Sequence, residues 1–178
     1  MTQLYGVTGM PLSGKTTVAE MMKEEGFVVL DMGDIVRIEM DKRGIDPEKT
    51  GEFVTGVREE KGMDAVAQLC IPYLEEMMNE NERIVITGMR GWSEKKKFEE
   101  ETGEDMTVVA VWASRETRKQ RREKRQREED LKGQDFHERD LREIENGMAK
   151  LIALSDRCIK NDGIGLEELE EKVNKLVS

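Results

Sequence analysis

The chain has 178 residues and a net charge of −10, with 38% charged and 4% aromatic residues. The length fits one domain with a hydrophobic core, and the negative charge argues against nucleic-acid or anionic-membrane partners, which are themselves polyanions. A single histidine, His137, argues against zinc sites and Ser-His triads, and Cys70 and Cys158 are expected to be buried free thiols. No apolar run could cross a membrane and no signal peptide precedes the first strand, so we expect a cytoplasmic protein.

The first predicted strand, LYGVTG, leads into a glycine-spaced loop and then into a helix that ends near Gly26. Residues 9–16, GMPLSGKT, complete the pattern G-x-x-x-x-G-K-[ST]. In this pattern backbone N–H groups surround phosphate oxygens, and the lysine reaches the β- and γ-phosphates. The residues predicted to bind ATP here are Gly9, Met10, Pro11, Leu12, Ser13, Gly14, Lys15, Thr16 and Thr17.

Four further apolar runs alternate with helical segments, and each predicts a strand: FVVLDM, RIVITG, MTVVAVWA and DRCIKN. Because these runs are nearly continuous, we expect both faces of the strands to be covered. The sequence therefore predicts one α/β domain over residues 1–178, with a five-stranded parallel sheet between helices in the three-layer P-loop fold. Ligands of such sheets bind beyond the carboxyl ends of the strands.

The region between the second and third strands predicts a helical insert over about 38–80. Its segment 43–62 is glycine-rich and only weakly periodic, which is untypical of core. The segment therefore looks like a small helical insert rather than part of the core.

A kinase must also hold an anionic phosphate acceptor, so a second set of cations is expected. Arg37 follows Asp34 by three residues, so both can face the same side of a helix, and Arg90 comes directly after the third strand. The alternative for Arg37 is an ordinary surface ion pair. We assign four residues to acceptor binding: Asp34, Arg37, Arg58 and Arg90.

Residues 115–127 form the one basic block of this acidic chain. Four arginines recur along one helical stripe: Arg115, Arg118, Arg122 and Arg125. Such a run is usually a solvated face, and Glu128 or Glu129 could pair with it. A nucleic-acid arm is disfavoured, because no aromatic residues are interleaved. Arginine forks suit a transferring phosphoryl group, so we predict that this block, in a helix interrupted near Gly133, contacts the triphosphate.

Five segments together resemble the nucleoside-monophosphate-kinase branch of P-loop proteins: GMPLSGKT, MGDIVR, GMRG, the arginine-rich helix and IKNDGIGLEEL. MGDIVR resembles the adenylate kinase segment whose arginine holds the acceptor phosphate, and GMRG stands where those kinases carry Asp-Gly followed by Arg. IKNDGIGLEEL is similar to the last strand and turn of dephospho-CoA kinases, near the adenine. The whole chain resembles an archaeal family described as adenylate-kinase-related. The resemblance implies ATP and Mg²⁺, an acceptor-binding insert, a lid over about 115–145, and ATP contacts by Asn161 and Gly163. Arg115 is assigned to ATP binding as the first residue of the arginine stripe.

Two residues depart from the pattern of these families. Thr87 stands where an aspartate usually supports Mg²⁺ through water, and Leu12 stands at a loop position that is usually glycine. We expect Thr16 and Asp34 to hold Mg²⁺, with Asp31 as the next candidate for the missing charge. The alternative is that Asp34 only caps the helix that follows it.

These observations predict an ATP-dependent kinase of nucleotide-kinase type, which phosphorylates a nucleoside monophosphate or a related small anionic acceptor. Lys15, Arg118 and Arg122 are the expected catalytic residues. Transfer to a phosphate depends on positioning and charge neutralisation and requires no general base. The alternative from another class is a nucleotide-binding switch or assembly factor with slow ATPase activity, which Thr87 favours.

Overall fold

The computed structural model describes residues 2–125 and 135–178, and a parallel sheet forms its centre. Within these residues the five strands are β1 (Gln3–Thr8), β2 (Val28–Asp31), β3 (Arg83–Thr87), β4 (Met106–Trp112) and β5 (Arg157–Lys160). Their order in the sheet is β2-β3-β1-β4-β5, and every pair is parallel. The predicted α/β class and the five predicted strands are confirmed.

Helices connect the strands and cover the sheet on both faces. They are α1 (Lys15–Glu24), α2 (Met32–Lys42), α3 (Thr50–Lys61), α4 (Ala65–Glu80), α5 (Trp92–Thr102), α6 (Arg115–Arg125), α7 (Phe136–Glu145), α8 (Met148–Ala153) and α9 (Leu166–Val177), with a short 3₁₀ helix at Pro47–Lys49. None of the helices in the described ranges is long and apolar enough to cross a membrane.

Two hydrophobic cores lie on opposite faces of the sheet. In β3, Ile84 and Ile86 pack into the core that α2, α4 and α5 share, whereas Val85 packs into the core formed with α1 and α9. Strand side chains alternate between faces, so a strand that is apolar at every position needs cover on both sides. This arrangement explains the continuous apolar runs of the sequence.

The predicted insert contains two helices of different character. α3 contains no fully buried residue, whereas α4 places Ala67, Cys70 and Leu74 in the core beneath the sheet. The weak periodicity of residues 43–62 therefore reflects a peripheral position. Its role in acceptor binding stays a prediction.

The two cysteines differ in exposure, and the prediction that both are buried is wrong for one of them. Cys70 is buried in α4, but Cys158 is exposed. Cys158 lies on β5, an edge strand whose neighbouring residue Ile159 faces the core. The strand was recognised correctly, but an edge strand can leave one face open.

Candidate nucleotide-binding and active site

The loop between β1 and α1 has the backbone that a phosphate cradle needs. Gly9 and Gly14 have φ values of 148° and 103°. A Cβ atom on Gly9 would lie 2.7 Å from Oγ of Ser13, and one on Gly14 would collide with the Asn161 side chain. Both positions therefore require glycine. Leu12 has φ of 66° and is the one non-glycine residue with positive φ in the described parts of the chain. The loop thus keeps its left-handed turn although leucine replaces the usual glycine.

Two side chains hold this loop from its outer side. Arg121 on α6 donates to the carbonyl oxygens of Leu12 and Ser13, both at 3.0 Å, and to that of Asn161 at 2.9 Å. The Asn161 amide in turn donates to the Ser13 carbonyl at 2.9 Å. Asn161 was predicted from the resemblance, but Arg121 was missed, because it lies beside the arginine stripe and not on it.

The side chain of Lys15 is partly buried in the cradle. Its ammonium donates to the carbonyl oxygens of Gly9 at 2.7 Å and Met10 at 3.0 Å. Burial lowers the pKa of Lys15 to about 8; the Glu143 carboxylate opposes this effect, and the nearby Arg90 guanidinium reinforces it. The protein therefore holds a desolvated cation where a phosphate is expected to bind.

Further arginines contribute to the same electrostatic environment. Arg139 and Arg118 also lower the pKa of Lys15. We call Lys15, Arg90, Arg118, Arg139 and Glu143 the charged cluster. Sequence reasoning missed Arg139 and Glu143, because they lie in the later part of the predicted lid region, away from the arginine stripe, and no motif marks them.

The partly buried lysine predicts a pH-dependent stability. The unfolded chain binds more protons than the folded protein between the folded pKa of about 8 and the ordinary value of about 10.4. Wild-type stability should therefore rise with pH across this window, relative to Lys15→Met. At pH 7 we expect Lys15→Met to melt a few degrees higher without nucleotide, and the difference to shrink toward pH 10. Calorimetry of both proteins measures this, and a constant difference between them would contradict it.

A cavity of about 600 Å³ opens beside the loop. Its walls come from the phosphate loop and the start of α1, from α6, and from the start of α9 with the turn before it. They include Thr17, Arg121, Arg125, Ile164 and Leu169. Apolar and cationic side chains thus surround a space that continues from the phosphate cradle. Gly163 lies in the same turn with φ of 70°.

The arginines of the predicted stripe have different environments in the structure. Arg118 is buried and makes two hydrogen bonds of 2.8 Å with Asp140 of α7, and it also donates to the Pro11 carbonyl at 3.3 Å. Arg115 is half exposed and packs over the Phe136 ring. Arg118 therefore connects α6, α7 and the phosphate loop.

The other residues of the stripe occupy different positions. Arg122 is partly buried on α6, and Arg125 lines the cavity. The predicted partners Glu128 and Glu129, and the predicted break at Gly133, lie outside the described residues.

The predicted acceptor arginines occupy two places. Glu94 is buried and accepts hydrogen bonds from Arg58 at 3.3 Å and from the backbone N–H of Arg90 at 2.7 Å. Burial raises the pKa of Glu94, and these contacts act against that rise. Arg58 and the Arg90 loop are therefore joined through one carboxylate. Arg37 instead pairs with Asp34 on the exposed side of α2.

Asp31 occupies the position next to Thr87 at the ends of neighbouring strands. The two residues are paired in register, and the Thr87 hydroxyl donates to Oδ2 of Asp31 at 2.6 Å. Oδ1 of Asp31 accepts from the N–H of Asp34 at 2.9 Å, so Asp31 caps α2. The alternative that Asp34 is the cap is wrong, because the helix begins three residues earlier than the sequence suggested.

Comparisons with known proteins agree with this geometry. A family model described as an AAA domain matches residues 8–137. The chain is 36% identical to a UPF0200/UPF0201 protein of Archaeoglobus fulgidus over 98% of its own length, but spans only 55% of that protein. It is 35% identical to a UPF0200 protein of Methanocaldococcus jannaschii, with coverage of 97% of this chain and 86% of the relative.

Solved structures show the same fold at low sequence identity. TT1252 from Thermus thermophilus superposes with a TM-score of 0.69 at 20% identity, covering 99% of this chain and 96% of that one. Shikimate kinase from Bacteroides thetaiotaomicron gives 0.61 at 16% identity, covering 98% of both chains. The predicted resemblance and fold class are confirmed, and the chain belongs to the archaeal UPF0200 family and contains an AAA domain.

Proposed function

We propose that this protein is an ATP-dependent kinase of a small anionic molecule. The observation that carries the proposal is the cradle of residues 9–16, whose partly buried lysine lies at the N-terminus of α1 and beside a cavity of about 600 Å³. A helix N-terminus with inward N–H groups favours bound phosphate. The cavity has the size of a small-molecule site and would receive the adenosine. A cytoplasmic location accompanies this proposal, since ATP is available there.

The residues present fit a magnesium ion brought by ATP. The described ranges contain no group of three or more His, Cys, Asp or Glu residues that could hold a metal by themselves. Mg²⁺ in kinases commonly takes only one or two protein ligands, with phosphate oxygens and water completing its shell. Thr16 and one of two carboxylates, Asp34 in the first turn of α2 or Asp31 at the end of β2, would hold it. The ion would neutralise charge on the β- and γ-phosphates.

The choice between the two aspartates is testable. The Asp31 carboxylate is oriented by Thr87, whereas Asp34 is exposed and paired with Arg37. Asn caps a helix about as well as Asp. We therefore expect Asp31→Asn to change the melting temperature by only a few degrees. The Mg²⁺ concentration at which the affinity for ATP reaches half of its value at saturating Mg²⁺ should rise at least about tenfold.

Asp34→Asn is the matched control, and it should leave the Mg²⁺ dependence of ATP binding nearly unchanged. Titration of ATP at several Mg²⁺ concentrations measures both variants. The opposite result, with Asp34→Asn as the sensitive variant, would return the metal role to Asp34.

The proposed binding site for the acceptor is based on the positions of positively charged side chains. Arg90 and Arg139 belong to the charged cluster, and α3 lies close by through Arg58. These cations would hold the anionic part of an acceptor such as a nucleoside monophosphate, with Arg37 as the outer candidate. Shikimate kinases among the structural neighbours are consistent with a small acceptor.

A panel assay with γ-labelled ATP tests the proposal. Nucleoside monophosphates, dephospho-CoA and small anionic alcohols would be offered as acceptors, and label would be followed into product and into free phosphate. Transfer to one acceptor class supports the kinase. A second candidate function is a nucleotide-binding switch with slow ATPase activity. Thr87 favours it, because threonine cannot supply the negative charge of the aspartate that usually supports Mg²⁺ at this position. Label that appears only as free phosphate would support that candidate.

A further inference from the structure

Glu143 is a carboxylate that the fold holds beside the proposed phosphate site. It lies on the last turns of α7, its side chain is 12% exposed, and its Oε2 atom is 3.5 Å from Nε of Arg90. It is also the carboxylate with the largest charge effect on Lys15. One acidic side chain therefore lies near both the donor-side cation and the proposed acceptor-side cation.

The position of Glu143 is fixed by close backbone packing. The turn between α7 and α8 contains Gly147, with φ of 104°. A Cβ atom there would lie 3.3 Å from the carbonyl oxygen of Arg90 and 3.4 Å from Cα of Gly91. The turn, four residues after Glu143, thus lies directly on the loop that carries Arg90.

The Oε2 atom of Glu143 differs from the other carboxylate oxygens of this region. It is buried, and it accepts no hydrogen bond from any part of the chain that the structure describes. By contrast, Asp31, Glu94 and Asp140 each accept hydrogen bonds through both oxygens. Asp34 is exposed and paired with Arg37. Among these carboxylates, Glu143 is therefore the one with a buried oxygen that lies 3.5 Å from Arg90 but receives no hydrogen bond within the described residues.

The chemistry of the acceptor follows from this carboxylate. A phosphate acceptor would bring negative charge toward Glu143 and would have to compete with it for Arg90, and like charges at short range repel. A hydroxyl acceptor would instead donate a hydrogen bond to Oε2 and must lose its proton during transfer. We propose that Glu143 is the general base for a hydroxyl nucleophile, and that this protein phosphorylates an alcohol group of a small anionic molecule.

The step balances without a further reactant. The hydroxyl proton passes to Oε2 of Glu143 while the oxygen bonds to the γ-phosphorus of ATP. The bond from that phosphorus to the β,γ-bridging oxygen breaks, and ADP leaves with the electron pair. Glu143 afterwards releases the proton to water. This inference rests on the proposed kinase function and narrows its acceptor class.

The test compares Glu143→Gln and Glu143→Asp with Glu145→Gln, a matched control at an exposed position of the same helix. γ-labelled ATP is offered with anionic alcohols, with nucleoside monophosphates and with water alone, and ATP affinity is measured by titration calorimetry. With the wild-type protein, we expect the label of ATP to appear in the anionic alcohols. Glu143→Gln should lower kcat for alcohol and for water at least about a hundredfold at unchanged ATP affinity. Glu143→Asp should be intermediate, and the control should match wild type.

The contrary outcomes separate the two proposals. Transfer to monophosphates alone, or a Glu143→Gln variant as active as wild type, overturns the role of Glu143 and leaves the kinase function in place. A wild-type protein that does not bind ATP, or binds it and transfers to no acceptor including water, overturns both.

Discussion

Replacing Lys15 with alanine is expected to lower phosphoryl transfer at least about a hundredfold, the size of effect found when one main electrostatic donor of an active site is removed. The ammonium lies inside the cradle, 2.7 Å from the Gly9 carbonyl, and is the lysine of the phosphate loop. Bound ATP would offer it the β- and γ-phosphate oxygens in place of that carbonyl. The measurement is kcat and kcat/KM with the best acceptor of the panel.

The matched control is Lys23→Ala, a lysine in the last turn of the same helix α1. It carries the same charge but lies about two turns away from the cradle, so its turnover should equal that of wild type. Circular dichroism would establish that both variants are folded. A folded Lys15→Ala protein with unchanged turnover would contradict the assignment of the phosphate loop.

The second large effect is on stability, at the ion pair between Arg118 and Asp140. The two residues are 5% and 6% exposed and share two hydrogen bonds of 2.8 Å. Removing one partner leaves the other charge buried and uncompensated, which typically costs about 3–5 kcal/mol. Asp140→Ala should therefore lower the free energy of unfolding by about this amount, whereas Glu138→Ala, at an exposed position of the same helix, should change it little.

A double variant separates the structural role of Arg118 from its predicted catalytic role. Replacing both partners by apolar residues of similar size, Arg118→Met with Asp140→Leu, removes both buried charges and should restore most of the lost stability. Chemical denaturation measures all four proteins. If the stable double variant also transfers phosphate normally, Arg118 acts only through the fold; if its kcat is low, the predicted catalytic role is supported. A fully stable Asp140→Ala protein would contradict the importance of the pair.

The short-range features of this protein could be predicted from the sequence. The phosphate loop is one contiguous segment, and its glycines are required by local backbone angles, so the pattern and the conformation coincide. The strands were recognisable because burial on both faces of a parallel sheet leaves continuous apolar runs. The α/β class followed from the alternation of these runs with helices.

The partners of the charged side chains were decided by the tertiary structure. Spacing alone placed Arg118 among the triphosphate ligands, but the position of α7 brings Asp140 to it. Arg121 reaches the loop beside Arg118, because the rotation of α6 about its axis directs the Arg121 side chain toward Leu12 and Ser13.

The partners of two carboxylates, Asp31 and Glu143, also depend on the tertiary structure. The pairing register of β2 with β3 brings Asp31 to Thr87, 56 residues away in sequence. The Gly147 turn brings Glu143 to Arg90. Helix and strand patterns encode which face of an element is buried, whereas contacts between side chains depend on how whole elements are placed against each other. The sequence by itself therefore determined the fold and the phosphate loop, and only the packing of α6, α7 and the strand ends decided which charges act together.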